Sequence, residues 1–275
     1  MPGSLYLIAG PIGNLEDITL RAQRLLKELN CFFVEDTREI KKLFNALGVD
    51  ASGKECFSYA SHNLKAATQR AIEKLEEGVS VGFLSDRGTP GISDPGAILC
   101  AEAHAKQIPV IPIPGPNAVV TLLSASGLNT DRFCFLGFLP RKEGEREAVW
   151  KQMEKLGLVF SFFESPERAH SACESVRKYF PHSKMVMGRE LTKAHESILC
   201  FESSEPLPEF PARGEFVFAV DPRCEPVLAG EDGMQKKIAQ RLASERDWAK
   251  MVAKESGVAV SEVYNALQKA KQIDK

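Results

Sequence analysis

Apolar runs and helix-forming segments alternate along the first half of the chain. Four short runs of mostly apolar residues lie at positions 5–9, 31–35, 79–84 and 110–113. Between them, positions 19–29 and 37–47 carry apolar residues at helical spacing, with Asp17 or Thr19 as the first N-cap, and Asp94-Pro95 is expected to open a helix that ends near Gln107. Strands that are apolar throughout are typical of a parallel sheet covered on both faces. The pattern predicts an α/β domain with a mostly parallel sheet.

The pattern changes after residue 114. Following a helix at 118–126, five apolar segments predict strands at 133–138, 158–163, 185–191, 197–201 and 215–220, with helices at 145–155 and 166–179. The mixed order of these elements and a proline-rich stretch around 206–211 favour an α+β domain with a partly antiparallel sheet. We therefore expect domains at 1–114 and 115–232, followed by a helical tail at 233–275.

The tail differs from the body in charge. The whole chain has 35 Lys and Arg against 37 Asp and Glu. This balance argues against binding of nucleic acid through the net charge of the whole surface. Residues 234–275, however, contain nine basic and five acidic side chains. Residues 248–256 and 261–271 have the spacing of two helices around Gly257, with Ser261 as the second N-cap. The tail is interpreted as a helix-turn-helix that contacts a polyanion or as a plain helical hairpin.

Composition excludes several classes of protein. Hydrophobic residues make up 44% of the chain, enough for a sizeable core. The N-terminus lacks a signal-peptide pattern, no stretch of eighteen apolar residues occurs, and the seven cysteines show no CxxC spacing. We expect a cytoplasmic protein with no membrane contact. The five histidines show no metal-ligand spacing, and no metal is expected.

Glycine and proline concentrate in three loops, each after a predicted parallel strand. The loops are GPIGN (10–14), DRGTPGISDPG (86–96) and PGPN (114–117). In open α/β sheets, ligands bind where the carboxyl ends of the strands meet. The chain lacks the GxGxxG and GxxxxGK[ST] motifs, which disfavours dinucleotide and P-loop phosphate binding. A different small-molecule site is predicted there.

Seven segments resemble the signature blocks of one enzyme family. They are LYLIAGPIGNLEDITLRA (5–22), VEDTR (34–38), SDRGTPGISDPG (85–96), PIPGPNA (112–118), ASGLNTDRFCFLGFLP (125–140), FFESPER (162–168) and RELTKAHE (189–196). They are similar to those of the ribosomal RNA small subunit methyltransferase I family, within the tetrapyrrole methylase superfamily. The resemblance implies two α/β domains of the class III methyltransferase type with S-adenosylmethionine bound between them. It also implies 2′-O-methylation of cytidine 1402 of 16S ribosomal RNA in the small subunit, by a homodimer.

The resemblance also assigns residues. By motif position, the cofactor contacts implied are Ile12, Asp86, Gly88, Thr89, Pro116, Asn117, Phe163 and Leu191. A ribose hydroxyl is a weak acid, so its methylation benefits from a carboxylate, a neutral lysine or cations near the developing alkoxide. We expect Glu35 and Asp36 to orient the hydroxyl or take its proton. Arg38 or Lys193 is expected to hold RNA phosphate.

Three departures from the family pattern leave alternatives open. Gly10 stands where the family usually has Thr, Arg87 stands where it usually has Ala, and residues 59–64 (YASHNL) retain little of a YHEHNE-like segment. Arg87 either shifts the cofactor site or reaches toward RNA. The alternatives are a small-substrate methyltransferase of the tetrapyrrole or diphthine type and a non-catalytic RNA-binding relative.

Overall fold

The first sheet has five parallel strands. The computed structural model describes residues 2–223, 253 and 259–265. The strands are β1 (Leu5–Ile8), β2 (Cys31–Val34), β3 (Glu55–Ser58), β4 (Val81–Leu84) and β5 (Val110–Ile113), in the spatial order β3-β2-β4-β1-β5. Every pairing between neighbours is parallel. The mostly parallel α/β arrangement predicted for this half is confirmed, although β3 was not predicted.

Five helices accompany these strands. They are α1 (Leu20–Glu28), α2 (Thr37–Ala46), α3 (Leu64–Glu76), α4 (Gly96–Ala105) and α5 (Ala118–Ala125). Thr19 caps α1, since its hydroxyl accepts the N–H of Ala22 at 3.2 Å. The helix expected to open with Pro95 starts one residue later, at Gly96. The N-cap position is therefore Pro95 and not Asp94, although the Asp94 carboxylate accepts the N–H of Gly96 at 2.8 Å. Helix α3 was not predicted.

Alternate residues of the first sheet enter two separate cores. Phe33 and Phe83 belong to a buried cluster with α3 and α4, whereas Phe32 and Leu84 belong to one with α1 and α2. Successive side chains of a strand point to opposite faces, so a strand covered on both sides must be apolar throughout. This explains the continuous apolar runs in the sequence.

The second sheet is mixed, as the element order predicted. It contains β6 (Phe133–Phe138), β7 (Val159–Glu164), β8 (Lys184–Arg189), β9 (Ser197–Glu202) and β10 (Phe216–Asp221), in the order β6-β7-β10-β8-β9. Strands β6 and β7 are parallel, and the other three pairings are antiparallel. Helices α6 (Glu143–Leu156) and α7 (Pro166–Tyr179) lie between its strands in sequence. A core that includes Trp150, Phe160 and Phe180 covers one face.

The other face of the second sheet packs against α5 and the first loop. Ile12, Leu122, Val186, Leu191 and Val217 belong to one buried cluster. Ile12 follows β1, so residues of the first sheet's loop share a core with the second sheet. This shared core holds the two sheets against each other at the place where the glycine-rich loops lie.

By the density of its internal contacts, the chain divides into two units, Met1–Arg223 and Cys224–Lys275. Both sheets belong to the first unit. In the second, residues 260–265 are helical, and the carbonyl of Ala259 accepts the N–H groups of Glu262 and Val263. The expectation of Ser261 as N-cap is therefore wrong, because the helix has already begun and Ala259 supplies the first carbonyl. The predicted boundaries at 114 and 232 stay predictions, and most of the expected helix-turn-helix lies outside the described residues. Among the described residues, no helix is long and apolar enough to cross a bilayer.

Candidate functional site

The three glycine-rich loops meet at the carboxyl edge of the first sheet. The N–H of Gly10 donates to the carbonyl of Gly88 at 3.0 Å, and the hydroxyl of Thr89 donates to the carbonyl of Pro116 at 2.9 Å. Gly88 has φ +69°, and a Cβ there would lie 2.9 Å from Cγ2 of Ile12 and 3.0 Å from the Pro116 carbonyl oxygen. Only glycine allows this conformation and this approach without strain. The loops thus form one packed unit.

A cleft of about 400 Å³ opens beside these loops and extends to the second sheet. This volume lies within the usual range for small-molecule sites. Of the residues assigned by resemblance to the cofactor, seven line it: Ile12, Asp86, Gly88, Thr89, Asn117, Phe163 and Leu191. Pro116 is not among the lining residues, but its carbonyl accepts the hydrogen bond of the Thr89 hydroxyl. Of the four candidates for RNA and proton chemistry, Glu35 is the one in the lining.

Glu35 and Asp86 cross-link the loops that follow β2 and β4. The carboxylate of Glu35 accepts the N–H of Asp86 at 2.9 Å, and the carboxylate of Asp86 accepts the N–H of Asp36 at 3.1 Å. Burial, chiefly, raises the pKa of Glu35 above its ordinary 4.5 and the pKa of Asp86 above 3.8. A carboxylate with a raised pKa is a stronger base, and Glu35 faces the cleft.

Asp36 has a different environment. Its side chain caps α2 by accepting the N–H of Arg38 at 2.8 Å, and it also forms an ion pair with the Arg38 guanidinium. The hydrogen bonds from Arg38 lower the pKa of Asp36 to about 2. A carboxylate so stabilised is a weak base. Between the two acidic candidates, proton removal is therefore favoured at Glu35 and disfavoured at Asp36.

Lys193 is enclosed by acidic side chains. Its Nζ lies 2.8 Å from Oε1 of Glu190 and 2.8 Å from Oε2 of Glu215, and its side chain is only 19% exposed. The hydrogen bond from Lys193 is the main cause of the lowered pKa of Glu190. The same Glu215 carboxylate lies 3.4 Å from Nε of Arg87, which belongs to the loop after β4. This network joins the edge of the first sheet to the second.

A buried ion pair closes another side of the cleft. Oε1 of Glu164 accepts Nε–H of Arg168 at 2.8 Å and the N–H of Ser165 at 2.8 Å. Glu164 lines the cleft and its residue is 2% exposed. Its second oxygen, Oε2, is buried and has no hydrogen-bond partner among the described residues. A buried carboxylate oxygen without a donor is uncommon in folded proteins.

Two apolar side chains at the cleft were not predicted as site residues. Ile92 and Phe138 line it although they are 42% and 58% exposed. The pairing of β6 with β7 shifts register between Phe135 and Phe138, and Gly137 has φ +66°. Such bulges re-aim a side chain, here Phe138, whose ring centroid lies 5.5 Å from that of Phe163. The glycine inside the strand was the sequence signal for this bulge.

A smaller cavity of about 230 Å³ adjoins the cleft on the side of α2. Gly10, Asp36, Glu39 and Lys42 contribute to its lining. A Cβ at Gly10 would meet no atom within 4 Å, so the threonine usual in related loops would extend into open space. The described residues contain no group of three or more acidic, cysteine or histidine side chains that could hold a metal ion.

Comparison with known proteins identifies the family of this chain. The family model described as Tetrapyrrole (Corrin/Porphyrin) Methylases matches residues 4–205. The ribosomal RNA small subunit methyltransferase I of Halalkalibacterium halodurans is 38% identical over 275 residues, which cover 96% of this chain and 94% of the relative.

Solved structures share the fold. The methyltransferase CobJ matches with a TM-score of 0.62 at 19% identity, covering 79% of this chain and 93% of CobJ. Uroporphyrin-III C-methyl transferase from Thermus thermophilus, complexed with S-adenosyl homocysteine, matches with a TM-score of 0.53 at 15% identity, covering 79% of this chain and 97% of the other. Both the predicted fold class and the resemblance seen in the sequence are confirmed. The chain belongs to the tetrapyrrole methylase family and, within it, to the ribosomal RNA small subunit methyltransferase I family.

Proposed function

We propose that this protein transfers the methyl group of S-adenosylmethionine to the ribose 2′-hydroxyl of cytidine 1402 in 16S ribosomal RNA. The observation that carries this proposal is the cleft itself, in which seven of the eight residues assigned to the cofactor by motif position form one surface. Membership of the methyltransferase I family supports the same reaction. The substrate is the RNA of the small ribosomal subunit, and the protein acts in the cytoplasm as a homodimer.

The cleft is chemically suited to this cofactor. Its charged lining is mainly acidic, comprising Glu35, Asp86, Asp94, Glu164 and Glu215 against Arg87. A sulfonium cofactor with an ammonium group is stabilised by negative charge nearby. When bound, S-adenosylmethionine supplies an electrophilic methyl group.

In this reaction, the protein's residues hold the cofactor and orient the substrate. The loop around Gly88 and Thr89, together with Asn117, forms one wall of the site, while Phe163 and Leu191 form the facing wall. In-line transfer of a methyl group depends on alignment of the hydroxyl oxygen and on exclusion of water, both of which a preformed cleft provides. The C–O bond forms as the S–C bond breaks, and the hydroxyl proton must leave.

Glu35 is the residue proposed to take that proton. It lines the cleft, it is held by the N–H of Asp86, and burial raises its pKa. Asp36 is proposed to position this edge of the sheet by capping α2 and by donating its N–H to Asp86, not to exchange protons. Arg38 and Lys193 are both paired with carboxylates, but Arg38 is 84% exposed and the side chain of Lys193 is only 19% exposed, so Arg38 is the more accessible of the two to RNA phosphate.

The experiment is a methylation assay on ribosomal particles. The purified protein is incubated with methyl-labelled S-adenosylmethionine and small subunits that lack the modification, and the label is mapped by nuclease digestion and mass spectrometry. Label on the ribose of cytidine 1402 is the expected result. Label elsewhere would indicate another substrate. Absence of both label and cofactor binding would indicate a non-catalytic relative.

A further inference from the structure

Arg87 occupies the partition between the two adjoining cavities. It follows β4 in the loop that carries Asp86 and Gly88, and it lines both the larger cleft and the smaller cavity. Its side chain is 52% exposed. A cation at this position is accessible to a ligand in either cavity.

Arg87 is opposite in charge to the other ionisable residues that line the larger cleft. Among the described residues that line the larger cleft, five are acidic and Arg87 is the only basic one. This lining favours a cationic cofactor but repels the phosphates of an approaching RNA strand. A cation at the mouth of the cleft would offset part of this repulsion. Arg87 is placed to do so.

The existing contact of Arg87 is weak and exchangeable. Its Nε lies 3.4 Å from Oε1 of Glu215, a carboxylate that is itself 57% exposed. Exposed ion pairs of this kind contribute little to stability. Glu215 also has a second cation, since Lys193 Nζ contacts its other oxygen at 2.8 Å. Glu215 therefore keeps a cationic partner if Arg87 turns away.

We propose that Arg87 binds a phosphodiester of the RNA strand that enters the cleft, and that it exchanges Glu215 for this phosphate. The planar guanidinium presents several N–H donors in a geometry that matches phosphate oxygens. Arg87 is thus a positioning residue for the acceptor strand, while the cofactor is held by the neighbouring loop residues. This inference depends on the proposed function, because it requires an RNA substrate.

The test compares Arg87→Ala with the wild type and with Arg24→Ala. Arg24 is a matched control, since it is 57% exposed and paired with Glu28 on α1, outside both cavities. Binding of unmethylated small subunits is measured across a salt series, and cofactor affinity is measured by calorimetry. Arg87→Ala should weaken subunit binding and reduce the slope of log K against log salt by about 0.7, as expected for one lost phosphate contact on a single strand. Arg87→Lys should keep the slope and lose part of the affinity.

Each outcome has a defined meaning. Glu215→Gln should tighten subunit binding more in the wild type than in Arg87→Ala, because part of the gain comes from the release of Arg87; an equal gain in both proteins would overturn the exchange of partners. An unchanged affinity and salt slope in Arg87→Ala, in a protein whose wild type methylates the subunit, would overturn the role of Arg87 and leave the proposed function intact. A loss of cofactor affinity in Arg87→Ala would assign Arg87 to the cofactor and overturn the inference. A wild type that neither binds nor methylates subunits would instead remove the proposed function.

Discussion

The carboxylate of Glu35 accepts the backbone N–H of Asp86 at 2.9 Å, which ties the ends of two neighbouring strands and leaves Glu35 facing the cleft. Glu35→Gln keeps an oxygen that can accept this hydrogen bond but removes the base. We expect kcat to fall about 100-fold or more, with cofactor affinity nearly unchanged. Single-turnover methylation and calorimetry measure the two quantities.

Asp36→Asn is the matched control variant for this experiment, because Asp36 is the neighbouring carboxylate. Its carboxylate is already stabilised by Arg38, with a pKa of about 2, so its loss should lower kcat much less. A Glu35→Gln enzyme that methylates at the wild-type rate would exclude Glu35 as the base.

The raised pKa of Glu35 also predicts a pH dependence of stability. The folded protein retains the proton of Glu35 at pH values where the unfolded chain, with an ordinary pKa of 4.5, has lost it. The folded state therefore binds more protons in this range, and the contribution of Glu35 to the free energy of unfolding falls as pH rises from about 4.5 through the raised pKa. Urea unfolding at several pH values should show that the free energy of unfolding of Glu35→Gln rises relative to that of the wild type as pH increases across this range.

Glu167→Gln supplies a control of opposite sign. Hydrogen bonds, chiefly from its own backbone N–H, lower the pKa of Glu167. Its ionised form stabilises the folded state at pH above 4.5, and that contribution is lost as pH falls. Glu167→Gln should therefore lose stability relative to wild type as pH rises. Equal slopes for the two variants would contradict the assignment for Glu35.

Gly88→Ala should disrupt the packed loops. Its φ of +69° disfavours a side chain, and the added Cβ would also collide with Ile12 and the Pro116 carbonyl. Gly53→Ala is the control, because Gly53 has φ +74° with no atom within 4 Å of the added Cβ. Left-handed backbone alone costs about 1–2 kcal/mol. Denaturant unfolding should show a larger loss for Gly88→Ala, and only this variant should lose cofactor affinity. Equal losses would mean that the loops adjust freely.

Arg168→Met tests the buried ion pair. The variant leaves the Glu164 carboxylate, whose side chain is 0% exposed, without its cation. Removing one partner of a buried pair typically costs about 3–5 kcal/mol. Arg24→Met, which breaks the exposed pair with Glu28, should cost less than about 1 kcal/mol. Thermal and denaturant unfolding would detect the difference, and similar values for the two variants would mean that water reaches Glu164.

The sequence predicts most of the first sheet because its central strands are buried on both faces. The missed strand β3 lies at the sheet edge and pairs with β2 alone. Its residues are half-buried or exposed, so Glu55 and Ser58 interrupt the apolar pattern. Helix α3 was missed although Asn63, a residue type preferred at the N-cap, stands at its N-cap position. The other edge strand, β5, was predicted because Val110, Ile111 and Ile113 keep its sequence apolar.

The candidate site was likewise predictable only in part. The three loops were predictable because the carboxyl ends of parallel strands converge at one edge. The network of Arg87, Glu215 and Lys193 was not, since Glu215 precedes a strand of the other sheet and its partners depend on how the sheets approach each other. Sequence position likewise could not separate Glu35 from Asp36, whose environments differ through a local contact with Arg38.

The bulge in β6 has a consequence for assembly. Strand β6 is at the edge of the second sheet and carries two exposed aromatic side chains, Phe133 and Phe138. A regular edge strand of this kind would invite another chain to extend the sheet and to aggregate. The left-handed Gly137 interrupts the row of backbone donors and acceptors, so an added strand could not stay in register. The irregularity that aims Phe138 at the cleft therefore also protects the protein from growing into sheet-extended polymers along this edge.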